Sequence, residues 1–547
     1  MEKKINYRVI RESKVPVAMR DGINLGADIY RPDAPGKFPV LMVLRYFRGE
    51  HQNRHGEFFA KRGHVVALID SRGRGDSEGK WVSYVNEPQD GYDAQQWLGT
   101  KSWSNGKIGT FGISYNAFTQ CMSAPLGSPY LKCLFPQEGQ QTNFGHLYND
   151  GVMQLNVVFE FGLFTRGKLQ TQQIFDITHP HYRRLPLISA VDDFAHRDDI
   201  QHVKNWFEHS KYDDYWKAYG IKEKYHKIKV PAYFMTGWYD NLVHETWRNF
   251  KGFREQGGSE EAQKGTKILV GPWAHGGSMG YPNLDELKLR WYDYWLKGIQ
   301  NGIDEEPPIK IYVMGADKWR YESEWPLART RFTRFYLHSS GRANSVKGDG
   351  KLKMSPPATN SPPDEFVYDP ENPVYTLGGQ ISTHAEVRGT QNRSSVQERE
   401  DILVYTTDPL TEDVEITGPV DMKLYAASSA VNTDFTATLT DVHPDGKAIH
   451  ICEGIRGVTF RESLENPTLI EPGKVYEYTI SLWETSMVFK AGHRIRLEIS
   501  SSNFPRYARN QNIAALLGMS AEVKTAKQTI YHNTHYPSHL ILPVIPE

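Results

Sequence analysis

The fold turns on Lys107-Ile-Gly-Thr-Phe-Gly-Ile-Ser-Tyr-Asn-Ala117. An apolar strand runs to Gly112, and a helical pattern begins just beyond Ser114. A serine on such a sharp strand-to-helix turn projects its hydroxyl above the edge of a sheet. The helix N-terminus behind it favours developing negative charge. The generic G-x-S-x-G turn asks for small residues two places to either side; Gly112 supplies one, and Asn116 departs from the other. On these residues alone, a nucleophile and a serine that merely caps an ordinary helix stand level.

Outward from this stretch, nearly continuous apolar runs recur at 39–45, 64–70, 131–135, 230–235 and 267–270. Strands of that texture suit a parallel sheet covered on both faces. Helical patterns lie between them, around 88–98, just after Ser114, and at 242–254 and 284–298, so the first 320 residues or so predict an α/β fold. The stretch 139–228 breaks the rhythm with irregular helices and no convincing strand. An insertion there predicts a cap over the C-terminal edge of the sheet, where such folds bind ligands. From about residue 330 the period becomes two, as in Asp434-Phe-Thr-Ala-Thr-Leu-Thr440 and Arg494-Ile-Arg-Leu-Glu-Ile-Ser500, which predicts an all-β sandwich. Val414 to Leu424 reads as two short strands broken at Gly418-Pro419.

Two more strands end in residues that change the reading of Ser114. Val230-Pro-Ala-Tyr-Phe-Met-Thr-Gly-Trp-Tyr-Asp240 delivers an aspartate, and Lys267-Ile-Leu-Val-Gly-Pro-Trp-Ala-His275 delivers a histidine. Ser, Asp and His in that order, each just past a strand, is the α/β-hydrolase arrangement. Ser114 then reads as nucleophile, His275 as base and Asp240 as the group that fixes its tautomer.

At these residues the chain resembles the cocaine-esterase and X-Pro dipeptidyl-peptidase (CocE/NonD) family of serine hydrolases. The similarity is carried in order by Met19-Arg-Asp-Gly22, Asp70-Ser-Arg-Gly-Arg-Gly-Asp-Ser-Glu-Gly79, Asp90-Gly-Tyr-Asp93 with Trp97, and Trp103-Ser-Asn-Gly106 leading into Gly112-Ile-Ser-Tyr115. Gly237-Trp-Tyr-Asp240, Gly271-Pro-Trp-Ala-His275, Trp291-Tyr-Asp-Tyr-Trp-Leu-Lys-Gly298, Tyr368-Asp-Pro-Glu-Asn-Pro373 and Gly492-His-Arg-Ile-Arg-Leu497 complete it. Each piece is weak alone; their order makes them specific. The resemblance implies an α/β-hydrolase catalytic domain (1–138 and 229–325), an inserted helical cap (139–228) and a C-terminal jelly-roll sandwich (326–547). It matches Ser114, Asp240 and His275 to the triad. It further implies an oxyanion hole made by the hydroxyl of Tyr46, in Leu44-Arg-Tyr-Phe47, and the N–H of Tyr115, with no cofactor.

Relatives that act on α-amino esters or X-Pro peptides need acids to grip a free ammonium group. In the amino-ester branch those acids closely follow the triad aspartate; here Asn241-Leu-Val-His244 intervenes before Glu245, leaving Asp150 or Glu160 of the cap as substitutes. An apolar acyl pocket is therefore expected, walled by Tyr46, Tyr115, Tyr239 and Leu242, with Phe47 beside them and Phe159, Phe161 and Phe164 from the cap. The cap phenylalanines read equally well as ordinary helix packing. The expected reaction is hydrolysis of a carboxylic ester. X-Pro dipeptidyl-peptidase or amide and β-lactam acylase activity is the rival among enzymes, and a binding protein on a dead hydrolase scaffold the rival from another class.

Composition narrows the classes further. The 547 residues carry 64 Lys+Arg against 65 Asp+Glu, a net charge of −1, with 39% hydrophobic and 12% aromatic residues. That balance argues against a nucleic-acid binder, a disordered chain or a collagen-like fibre. No apolar run approaches a membrane span or a signal-peptide core, and three cysteines are no disulfide framework, so a cytoplasmic protein with reduced thiols is expected. The expected partner is a small ester or amide substrate, with no nucleic acid and no membrane; a homo-oligomer remains open. His179-Pro-His181 and His244-Glu245 lack H-E-x-x-H spacing, so no metal is expected. Asp70-Ser-Arg-Gly-Arg-Gly reads as a structural turn with Arg72 and Asp76 in buried ion pairs rather than as a phosphate loop.

Overall fold

A computed structural model describes residues 6–164, 180–194, 201–382 and 387–546. Ten strands form the first sheet: β1 (Val9–Ala18), β2 (Asn24–Pro32), β3 (Phe38–Arg45), β4 (Val65–Asp70), β5 (Ser104–Ile113), β6 (Leu131–Gln137), β9 (Tyr233–Tyr239), β10 (Lys267–Ala274), β11 (Ile309–Val313) and β12 (Lys318–Glu322). The short hairpin β7 (Tyr148–Asn149) and β8 (Val152–Met153) stands apart from it. The order is β1-β2-β4-β3-β5-β6-β9-β10-β11-β12, with the central strands parallel and antiparallel pairs at both edges. Every residue of β4 and β9 is buried, as expected for strands covered on both faces. The cover comes from α1 (Glu50–Ala60), α2 (Glu87–Gly99) and α3 (Tyr115–Ser123) in the first half of the domain.

The segment between β6 and β9 carries α4 (Asn143–Leu147), α5 (Leu155–Phe164), α6 (Pro180–Arg183), α7 (Leu187–Phe194), α8 (Gln201–Glu208) and α9 (Asp214–Ala218). It is helical as expected, but it also holds the β7–β8 hairpin that the sequence did not signal. After it come α10 (Val243–Gln256), α11 (Glu260–Gly265) and α12 (Leu284–Tyr292). The predicted helix over 284–298 is α12 followed by a π-helical turn at Asp293–Lys297, which Gly298 ends with φ 74°.

Eleven strands, β13 (Arg331–His338) to β23 (His539–Ile545), build the C-terminal all-β domain. Here Val414–Ser428 is one strand, β17, not two. Gly418 and Pro419 sit at a bulge where the register against β20 (Tyr476–Phe489) shifts. A bulge absorbs the missing proline N–H without ending the ladder, and Gly418 has φ 145° with Pro543 against the place of its absent Cβ.

The Asp70–Gly79 turn is structural, and of the two ion pairs expected to be buried the one at Arg72 is and the one at Asp76 is not. Arg72 pairs with Asp90 and Asp21, whereas Asp76 is met by Arg48 nearer the surface. Arg45 beside the turn is fully buried, held by Asp28 at 2.9 Å and Asp70 at 2.7 Å. All three cysteines are buried and free. No helix among the described residues is long and apolar enough to cross a membrane.

Candidate active site

Ser114 occupies the turn between β5 and α3 with φ 61° and ψ −125°. A non-glycine residue holds that conformation only where its surroundings fix it. Its N–H donates to the Gln137 carbonyl at 2.8 Å, and its own carbonyl accepts from Ala117 and Phe118 in the first turn of α3. Gly112 is required because α3 turns back across it: a Cβ there would lie 2.6 Å from that of Asn116. The crowding falls on Gly112, so the elbow forms with Asn at the following position.

His275, just past β10, has Nε2 3.0 Å from Ser114 Oγ and Nδ1 2.8 Å from Asp240 Oδ1. Asp240 follows β9 and is fully buried; Thr236 donates to its Oδ2 at 2.7 Å and the Leu242 N–H to its Oδ1 at 3.1 Å. Burial works against an imidazolium at His275, but the charge and hydrogen bond of Asp240 and the charge of Glu138 outweigh it and lift the pKa to about 9. Glu138, which the sequence reading passed over, directly follows β6 and is fully buried. Its Oε2 lies 3.3 Å from His275 Nδ1 and accepts from the Gly276 N–H, while Oε1 accepts from the Ser278 N–H at 3.0 Å. Burial first, then the charge of Asp240, push Glu138 up to about 7. The signal that could have found it is the one that found Asp240: an acid immediately after a strand of the same sheet.

Tyr46 lies past the end of β3 with its ring 4.8 Å from those of Tyr115 and Phe47. Its carbonyl accepts from Arg74 Nε at 2.8 Å, which ties it to the Asp70–Gly79 turn. Burial drives its phenol pKa well up, so the hydroxyl keeps its proton. Tyr115 opens α3, and its N–H has no acceptor among the described residues. Its own hydroxyl donates to Glu87 and accepts from the Tyr84 N–H at 3.0 Å, fixing the ring. Phe161 of α5 stacks on Tyr115 at 5.8 Å and meets Tyr46 at 5.9 Å, so Phe47 and Phe161 share one aromatic wall with the two tyrosines.

Other expected wall residues lie elsewhere. Tyr239 is corrected: its hydroxyl donates to the His450 carbonyl at 3.1 Å and its ring packs in the core shared with the C-terminal domain. Adjacency to Asp240 does not carry its side chain to the same side of the strand end. Leu242 is buried, and its backbone N–H donates to Asp240 Oδ1. Phe159 packs inside the cap on Tyr182 and Phe207, and the Phe164 side chain is outside the described residues.

Of the acids considered for an ammonium group, Glu245 is occupied by the N–H groups of Gln141 and Thr142 and by Arg248. Asp150 lies 3.6 Å from Arg456, and Glu160 accepts from the Tyr182 hydroxyl. His244 points away from Glu245 to Glu484 at 3.0 Å, and His179 is outside the described residues. Among the described residues two groups have donor atoms spaced for a metal: Glu138 with Asp240 and His275, and Asp441 with His443 and His493. Hydrogen bonds account for the first, and His493 Nδ1 lies 2.9 Å from Asp441 in the second.

Comparison with known proteins gives the family and the fold. Residues 21–277 match a family model described as X-Pro dipeptidyl-peptidase (S15 family), and 301–541 match X-Pro dipeptidyl-peptidase C-terminal non-catalytic domain. Cocaine esterase of Rhodococcus sp. (strain MB1 Bresler) is 34% identical, with 99% of each chain covered. An aminopeptidase from the marine sediment archaeon Thaumarchaeota archaeon superposes with TM-score 0.86 at 22% identity, covering 100% of this chain and 98% of its own. An α-amino acid ester hydrolase gives 0.83 at 23%, with 100% and 98% covered. These two establish the fold alone.

Proposed function

The chain belongs to the CocE/NonD X-Pro dipeptidyl-peptidase family and is a serine hydrolase, and we propose that it cleaves carboxylic esters of small, largely apolar acyl groups through an acyl-enzyme on Ser114. The observation that carries this reading is the unbroken chain from Ser114 Oγ to His275 Nε2 at 3.0 Å and from His275 Nδ1 to Asp240 at 2.8 Å.

Ser114 Oγ attacks the ester carbonyl carbon as its proton passes to Nε2 of His275. Asp240 keeps the other imidazole proton on Nδ1, which leaves the Nε2 lone pair facing the serine. The negative charge that develops on the carbonyl oxygen is met by the Tyr46 hydroxyl and the Tyr115 N–H; such a donor is worth about 2.7–4 kcal/mol in the transition state. The imidazolium then protonates the leaving alkoxide and the alcohol departs. Water, deprotonated by the same Nε2, attacks the acyl group and releases the acid and the serine.

The apolar preference is supported by the shared wall of Tyr46, Phe47, Tyr115 and Phe161. It is supported also by Glu245, whose two oxygens already serve backbone N–H groups and Arg248 rather than a substrate ammonium. The test is kcat/KM on p-nitrophenyl esters of increasing acyl length, beside a matched amide and an X-Pro substrate. Highest values on the short and medium esters are expected. An X-Pro substrate outrunning every ester would overturn the ester reading in favour of peptidase action.

A further inference from the structure

Three neighbouring parallel strands, β6, β9 and β10, each deliver one ionisable residue to the same edge of the sheet: Glu138, Asp240 and His275. A three-residue relay uses only two of them, yet Glu138 is built in as firmly as Asp240. It is fully buried, it holds φ at 52°, and its carboxylate clamps the N–H groups of Gly276 and Ser278 in the loop that starts at His275. From there its Oε2 reaches to 3.3 Å of His275 Nδ1, the nitrogen that Asp240 meets at 2.8 Å. One N–H therefore faces two carboxylates.

We propose that Glu138 is a second acid of this centre, a positioning residue that shares the His275 Nδ1 proton with Asp240 and takes over its orientation when Asp240 cannot accept. The proposal rests on the serine-hydrolase reading above. No proton leaves Nδ1 in the reaction: the serine proton arrives at Nε2, and the imidazolium so formed stands between both acids. Two buried carboxylates this close resist being ionised together. Burial and the Asp240 charge accordingly hold Glu138 up near 7, so the charge behind His275 rises as Glu138 ionises.

Among the described residues, two other charged or titratable groups act on His275. Arg388 of the C-terminal domain donates to its carbonyl at 3.3 Å and disfavours the imidazolium. His146 of the cap is pushed down to about 3 by burial and is neutral over the working range. Glu138 is thus the added negative charge that works alongside Asp240. Removing it lowers the pKa of His275, so the neutral base persists to lower pH and the acid limb of kcat/KM moves down.

The experiment compares wild type, Glu138→Gln, Asp240→Asn and the double variant, by the pH profile of kcat/KM on p-nitrophenyl butyrate. A triad with a single acid loses about 10⁴-fold when that acid becomes its amide. With Glu138 taking over, Asp240→Asn is expected to lose only about 10- to 100-fold, and the double variant to fall the remaining way to about 10⁴. Glu138→Gln alone is expected to stay within about tenfold in kcat while its acid limb shifts to lower pH.

An Asp240→Asn loss already near the single-acid value, with nothing added by the second change, overturns the proposal. So does an unmoved limb in a Glu138→Gln protein that only melts earlier, because that marks a loop clamp and nothing more. If Glu138→Gln does not fold, Asp240→Asn alone decides between the small and the large loss. Labelling by a fluorophosphonate, with Ser114→Ala as blank, separates the two layers: an unlabelled wild type removes the serine-hydrolase reading itself, whatever the acids do.

Discussion

The polar edge formed by the loops after β6, β9 and β10 and the aromatic wall of Tyr46, Phe47, Tyr115 and Phe161 flank the same serine, but different forces hold them. At the polar edge every group is pinned by directed bonds. Asp240 accepts from Thr236 and Leu242, Glu138 from Gly276 and Ser278, and His275 sits between them. The aromatic wall is joined by ring contacts at 4.8–5.9 Å between Tyr46, its neighbours on the sheet side and Phe161 of the cap. Such ring pairs are worth about 0.5–1.5 kcal/mol each beyond the area they bury, and they tolerate adjustment. The first region holds one geometry; the second, on the proposed ester reading, would fit acyl groups of differing shape. Substitutions on the two sides should therefore separate kcat from selectivity.

The largest separation comes from Ser114→Ala, expected to lower kcat by about 10⁶-fold with an unchanged melting temperature, since the side chain makes no contact that the fold depends on. A steady-state assay with p-nitrophenyl butyrate checks it, and a variant that keeps most of its activity removes Ser114 from the chemistry. Tyr46→Phe comes next, because it keeps the ring in the wall and removes only the hydroxyl proposed above as an oxyanion donor. Its kcat is expected to fall about 10²–10³-fold with KM nearly constant. A change confined to KM would assign it to the wall alone.

The contrast also governs what could be read in the sequence. Apolar runs such as Val65–Asp70 announce buried strands, and residues just past strand ends announce Ser114, Asp240 and His275, because strand position and chain order are local properties. Helix α1 was not signalled: Glu-His-Gln-Asn-Arg-His-Gly-Glu-Phe-Phe-Ala is polar for most of its length. It buries Gln52 and Gly56 along with Phe59 and Ala60, the Gly56 backbone lying close on the Tyr30 ring. The pairing of Glu138 with a loop 138 residues further on is tertiary, and so is the turning of Tyr239 toward His450. Neither leaves a periodic trace. The membership of Phe161 in the wall and of Phe159 in the cap interior likewise depends on how α5 is rotated, which the run Phe-Glu-Phe at 159–161 leaves open.

Phe161→Ala tests that wall directly. Opening space opposite Tyr46 and Tyr115 should move the optimum of the acyl-length profile toward longer chains, with about 10-fold changes in relative kcat/KM. The kcat on the preferred ester should stay close to wild type. An unchanged profile would return Phe161 to plain helix packing.

The smallest effect is expected at the polar edge, from Thr236→Val. The change keeps the shape of the side chain and removes the one hydroxyl that donates to Asp240 Oδ2, at 2.7 Å in a fully buried site. Asp240 retains the Leu242 N–H and the His275 Nδ1 proton, both on Oδ1, so its orientation toward the histidine survives while one buried carboxylate oxygen loses its donor. An unsatisfied buried group costs about 1–3 kcal/mol, which should appear as a lower melting temperature. The kcat should drop less than about tenfold, because the charge that Asp240 presents to His275 is unchanged. The acyl-length profile should not move, since the ring contacts that join the aromatic wall do not involve Thr236. A shifted profile would mean that the polar edge and the aromatic wall are mechanically coupled through the strand ends rather than separately held.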